Sequence, residues 1–181
     1  PDLDGIGFTE CEIPFLELIK AKDKLLHINT DPSWIPRSKK EMPRGSFEAK
    51  YIWDLDEIPF YDYAIVNKDD YSLNPALTAY AGVYDSANNF HYMTSRGCPY
   101  RCNFCASHKV NGRDMRYHSI DRVESDLRLL KEKFGAKTIV IQDDNFMGRG
   151  RSGRERALEI VNVIGKLGLI VVFQNSLTLV A

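Results

Sequence analysis

The chain has 181 residues, 44% hydrophobic and 27% charged, the balance of an ordinary folded domain and not of a disordered tail. Twenty-four basic residues against 25 acidic ones leave a net charge of −1, which excludes bulk attraction to nucleic acid or anionic lipid as a working principle. The longest apolar runs, such as Leu169-Ile170-Val171-Val172-Phe173, fall far short of a membrane span, and no signal-like apolar segment opens the chain. A cytoplasmic setting with no membrane partner and no nucleic-acid partner is therefore expected.

The chain starts at Pro1 and stops at Val180-Ala181 after a strand-like stretch. A strand that stops without a turn leaves an apolar edge uncovered, so a fragment of a longer protein is expected. Residues 1–30 read as the tail of a preceding domain. Their one good helical stretch is 15–24, where Phe15, Leu18 and Ile19 form a narrow apolar face. Residues 31–85 read as a linker rich in proline and aromatics, anchored by Trp34, Trp53, Phe60, Tyr61 and Tyr63, since large rings bury much area per residue.

From residue 86 the pattern becomes strand and helix in alternation. Residues 90–95 form a predicted strand that runs into a loop. Ile120, Val123, Leu127, Leu130 and Phe134 recur at steps of three and four, with Ser119 to cap the helix and Gly135 to end it. Residues 138–142 are a second strand, and Ala157, Ile160, Val161, Ile164 and Leu167 mark a second helix. Residues 169–174 are a third strand. This rhythm predicts an α/β fold with a parallel sheet or barrel, whose working loops leave the carboxyl ends of the strands.

The loop after the first of these strands carries Arg96-Gly97-Cys98-Pro99-Tyr100-Arg101-Cys102-Asn103-Phe104-Cys105, a CxxxCxxC run. Three soft sulfur ligands on one loop select zinc, copper(I) or an iron–sulfur cluster over hard cations. His108 follows Cys105 by three residues, so a structural zinc site of three cysteines and one histidine is an alternative. Spacing this close does not suit a disulfide framework that staples distant segments.

This loop, preceded by Thr94-Ser95 and with aromatic Phe104 before the last cysteine, resembles the signature of the radical S-adenosylmethionine (radical SAM) enzymes. The resemblance implies that Cys98, Cys102 and Cys105 hold a four-iron four-sulfur (4Fe-4S) cluster whose remaining iron binds the methionine part of SAM. It further implies reductive cleavage of SAM to a 5′-deoxyadenosyl radical, a reductant such as flavodoxin or ferredoxin, and a small-molecule substrate. The implied fold is a TIM-like partial barrel, (β/α)6, of which residues 86–181 are the first half, behind a loop-rich N-terminal segment. Phe104 is implied near the adenine, and Asp143 and Asp144 near the ammonium group of the methionine part. Asn175 and Ser176, at the next strand end, are further expected SAM contacts.

A second resemblance lies upstream. Gly5-Ile6-Gly7-Phe8-Thr9-Glu10 and Leu55-Asp56-Glu57-Ile58-Pro59-Phe60 are similar to the turn and linker of radical SAM proteins with a cobalamin-binding domain. It implies cobalamin bound by a domain before Pro1, and methyl transfer as one outcome. A fragment that holds a cluster without catalysing anything is the remaining alternative.

Other features read as structural. For Asp143 and Asp144 the structural alternative to the SAM contact, which is favoured with Asp143 ahead of Asp144, is a solvated Asx turn joined by Asn145. Gly148-Arg149-Gly150-Arg151-Ser152-Gly153 matches GxGxxG, but its distance from the preceding strand argues against a dinucleotide site and for a flexible loop. Arg149, Arg151, Arg154 and Arg156 read as a solvated face. Cys11, His27, His91 and His118 show no partner spacing and are expected to be structural.

Overall fold

A computed structural model describes residues 3–39, 44–65 and 88–173. Contacts divide the chain into two compact units, Pro1–Trp53 with Pro99–Asp114, and Asp54–Cys98 with Met115–Ala181. The division falls inside the cysteine loop, between Cys98 and Pro99.

In the first unit, β1 (Gly5–Gly7) pairs antiparallel with β2 (Trp34–Pro36), Gly5 facing Pro36 and Gly7 facing Trp34. Between them lie α1 (Glu12–Lys20) and α2 (Lys24–Thr30), where the sequence pattern suggested one helix over 15–24. The chain leaves helical geometry at Ala21, and Asp23 caps α2 by accepting from the Leu26 amide at 2.8 Å. That aspartate is an N-cap signal inside the apparent helix. Gly5 lacks a side chain because a Cβ there would run into Ile28 of α2. The short α3 (Ser107–Val110) follows the cysteines in the same unit.

The second unit runs β3 (Asn89–Tyr92), β4 (Ser95–Arg96), β5 (Arg116–Tyr117), α4 (Ile120–Phe134), β6 (Thr138–Ile141), α5 (Gly150–Lys166) and β7 (Ile170–Phe173). β3, β6 and β7 form a parallel sheet in that order, so β6 is central and each later strand adds on the same side. This is the α/β architecture expected; the described residues form an open sheet and no closed barrel. Val123, Leu127 and Leu130 of α4 and Ala157, Ile160 and Ile164 of α5 are buried with Ile139 and Ile141 in one apolar cluster. Each such large side chain contributes roughly 1.5–3 kcal/mol on leaving water. The stripes and caps of the sequence appear where they were read: Ser119 Oγ accepts from the Arg122 amide, and Gly135 takes φ 69°.

The strand expected over 90–95 stops at Tyr92 instead. Ser95 and Arg96 leave the sheet and pair antiparallel with Tyr117 and Arg116. Just past the end of β6, the Asp143 carboxylate accepts from the amides of Thr94 and Ser95. Among the described residues, no helix is long and apolar enough to cross a membrane.

Candidate metal centre

Cys98 and Cys105 are partly buried, Cys102 is exposed, and none of them is in a disulfide. Gly97 opens the loop with φ 92°, a left-handed turn that a side chain would strain. The Cys105 amide donates to the Cys102 carbonyl at 3.1 Å, which puts these two residues on one turn. The Cys105 thiol lies 3.3 Å from Ser107 Oγ, a hydroxyl able to donate back to the sulfur once it is a thiolate. By donor chemistry alone, three thiols with a hydroxyl beside one of them suit a soft metal or an iron–sulfur cluster; Cys98 belongs to the second unit, and Cys102 and Cys105 belong to the first. His108 sits on α3, where burial and the nearby Arg113 and Lys109 cations lower its pKa. Phe104 is 93% exposed.

The root of the loop is fixed within the second unit. Asp143 follows β6 and is buried. Its carboxylate accepts from the Thr94 amide at 2.6 Å, the Ser95 amide at 3.1 Å, Ser95 Oγ at 2.7 Å and the Thr94 hydroxyl. A carboxylate offers about four lone-pair positions, and these four donors fill them. Burial pushes the Asp143 carboxyl up from its ordinary range, while the Thr94 and Ser95 donors pull it down.

Arg156 of α5 joins this cluster from another side. Its guanidinium donates to the Thr94 carbonyl at 2.7 Å, to Thr94 Oγ1 at 3.3 Å and to the His118 carbonyl at 3.3 Å, and stacks 4.5 Å from the Tyr117 ring centroid. Burial lowers its pKa, and the Asp143 charge opposes that. Arg156 is therefore not part of a solvated face, in contrast to the exposed Arg149, Arg151 and Arg154. Nor is the glycine run a flexible loop: a Cβ on Gly153 would meet the Met147 carbonyl, and one on Gly148 would meet Gly153 and the Tyr117 hydroxyl. These glycines let the loop close on the first turn of α5.

Asp56, in the linker element, reaches the same region. Its carboxylate lies 2.9 Å from His118 Nδ1 and accepts from the Ser119 amide at 3.1 Å. Arg122 donates to the Asp56 and Ile58 carbonyls and pairs with Asp126, which also accepts from the Tyr92 hydroxyl at 2.8 Å. The His118 amide donates to the Thr94 carbonyl at 3.0 Å, closing the chain of contacts. Sequence reading missed Asp56, His118, Arg122 and Arg156 as a group. Only the position of Asp56 just ahead of a proline-aromatic pair and of Ser119 at a helix start hinted at it.

Asp144 is exposed, and Asn145 is buried with its side-chain amide donating to the Gly148 carbonyl. Asn175 and Ser176 lie outside the described residues. Among the described residues, Glu17, His27 and Asp31 bring three ligand atoms within 4.8 Å of one another; the three cysteines do not meet that spacing. Lys50 already serves the former group, with Nζ 2.6 Å from Glu17 and 3.0 Å from Asp31, so it is an ion-pair cluster carrying its own cation.

No family model matches the chain. It is similar to an uncharacterized methyltransferase of Pyrococcus horikoshii, 30% identical over 93% of this chain and 33% of that protein. It is 28% identical to the cytidylyl-2-hydroxyethylphosphonate methyltransferase of Streptomyces wedmorensis, over 93% of this chain and 34% of the relative. A shorter match, 32% identical over 42% of this chain and 16% of the relative, is to the bacteriochlorophyllide d C-12(1)-methyltransferase of Chlorobaculum tepidum. The chain thus spans about a third of the length of the first two relatives, and its relatives carry the names of methyltransferases.

Proposed function

We propose that this chain is the cluster-bearing part of a radical SAM methyltransferase. The observation that carries the reading is the CxxxCxxC loop with its thiols outside any disulfide, leaving a parallel β/α sheet at the carboxyl end of β3. The methyltransferase names of the relatives support the reaction class. Cys98, Cys102 and Cys105 would hold a 4Fe-4S cluster, with Asp144, Phe104, Asn175 and Ser176 assigned to SAM. When bound, the cluster supplies the electron that cleaves SAM to a 5′-deoxyadenosyl radical. The chain's own contribution would be to present three thiolates from one loop, with Ser107 Oγ 3.3 Å from the sulfur of Cys105 and Gly97 setting the turn. A reducing, cytoplasmic setting with flavodoxin or ferredoxin as electron donor suits such thiolates. Cobalamin-dependent methyl transfer to a small molecule is the reaction we assign to the whole protein.

The test is anaerobic reconstitution of the full-length protein with iron and sulfide, followed by electron paramagnetic resonance and an assay for 5′-deoxyadenosine in the presence of SAM and dithionite. A brown protein with a cluster signal and SAM-dependent product is expected. A colourless protein with one tightly bound zinc, lost on changing His108, would replace this reading with the zinc alternative. A cluster signal with no 5′-deoxyadenosine from the full-length protein would leave a cluster-binding protein that is not a radical SAM enzyme.

A further inference from the structure

The strongest unassigned feature is the set of side chains that fixes where the cysteine loop begins. Asp143 is buried, and its carboxyl oxygens are met by four donors, the amides and hydroxyls of Thr94 and Ser95. Burying a carboxylate is costly and is tolerated where donors replace its water shell. All four donors here belong to the two residues that lead into the loop, and Cys98 follows Ser95 by three positions. Arg156 then grips the Thr94 carbonyl and hydroxyl from α5, and bridges to the His118 carbonyl. His118 in turn is held by Asp56 of the linker.

We propose that Asp143 and Arg156 are positioning residues, a latch that sets the root of the cysteine loop on β6 and α5, with Asp56 and His118 as an outer catch tying the linker to it. Asp143 acts through Thr94 and Ser95 and not as a ligand of SAM, because it has no acceptor position left to offer. The latch draws on three separate elements, so the loop root keeps its place only while the sheet, α5 and the linker element are all docked. The part of this inference that concerns a cluster rests on the function proposed above. The part that concerns the loop does not.

The experiment separates the two. In the iron-free full-length protein, alkylation rates of Cys98 and Cys11 are measured by mass spectrometry for the native sequence and for Asp143→Asn, Arg156→Gln, Arg156→Lys and Asp56→Asn. Asn keeps the shape of Asp143 but sets an amide against backbone donors; a lost charged hydrogen bond of this kind corresponds to about a ten-fold change in local opening. Cys98 is expected to react about ten-fold faster in Asp143→Asn and Arg156→Gln, with Cys11 unchanged, and Arg156→Lys and Asp56→Asn to fall between. In reconstituted protein the same order is expected for loss of iron to a chelator. Unchanged Cys98 rates overturn the latch. Equal acceleration of Cys98 and Cys11 in Asp143→Asn, with no selective effect in Arg156→Lys or Asp56→Asn, also overturns it, since the residues then support the fold alone. Failure of the native protein to take up iron sinks the cluster reading and leaves the Cys98 rates to decide the latch.

Discussion

At the residue scale, Asp56 shows how one carboxylate can tie a linker to a domain. Burial raises its pKa, but the hydrogen bonds from Ser119 and His118 outweigh that and hold it below the usual range. A carboxyl depressed in the folded state contributes stability above its unfolded pKa of about 3.9 and loses it as pH falls through the lower folded value. Asp56→Asn is therefore expected to cost about 1 kcal/mol at pH 7, with the difference from the native protein shrinking below about pH 4. Urea unfolding across a pH series measures it, and a difference that grows toward acid would contradict the assignment. The contact was not legible in sequence because its partners are 62 and 63 residues away. Asp143 presents the same problem: its place after a strand was plain, but its donors lie 49 and 48 residues back. Sequence alone therefore could not show which groups serve its carboxylate.

At the scale of elements, α4 and α5 were readable because their apolar stripes repeat at helical spacing and the ends of α4 carry cap residues. Ser119→Ala removes the cap bond to the Arg122 amide and is expected to cost about 1 kcal/mol. Leu127 is fully buried between the helices and the sheet, and Leu127→Ala is expected to cost roughly 3 kcal/mol through lost burial and a residual cavity. Thermal or urea unfolding should rank the two in that order. The two-residue strands β4 and β5 left no such pattern. They are flanked by tertiary contacts that local sequence does not show, Asp143 on the Thr94 and Ser95 amides and Arg156 on the Tyr117 ring. The glycine run misled for a related reason: Gly148 and Gly153 are needed for close approach, which in sequence looks the same as freedom of motion. Gly153→Ala is expected to destabilise by about 2 kcal/mol or more, since the Met147 carbonyl cannot yield without moving the loop.

On the scale of the whole molecule, the cysteine spacing and the β/α rhythm were legible in sequence, since both are local patterns. The chain spans about a third of the length of the relatives named as methyltransferases, and the reaction class proposed above rests on those names. Single alanine substitutions of Cys98, Cys102 and Cys105 are each expected to abolish the iron–sulfur absorbance after reconstitution, while Cys11→Ala leaves it intact. Retention of the full absorbance by any loop variant would remove that cysteine from the ligand set. The amides of Thr94 and Ser95 have one more consequence. They donate to a buried carboxylate in a segment that belongs to no long strand, so in hydrogen exchange they should form a slow pair where β3 has already ended. A peptide spanning them would then act as a gauge, reporting how often the ground beneath the cysteine loop gives way.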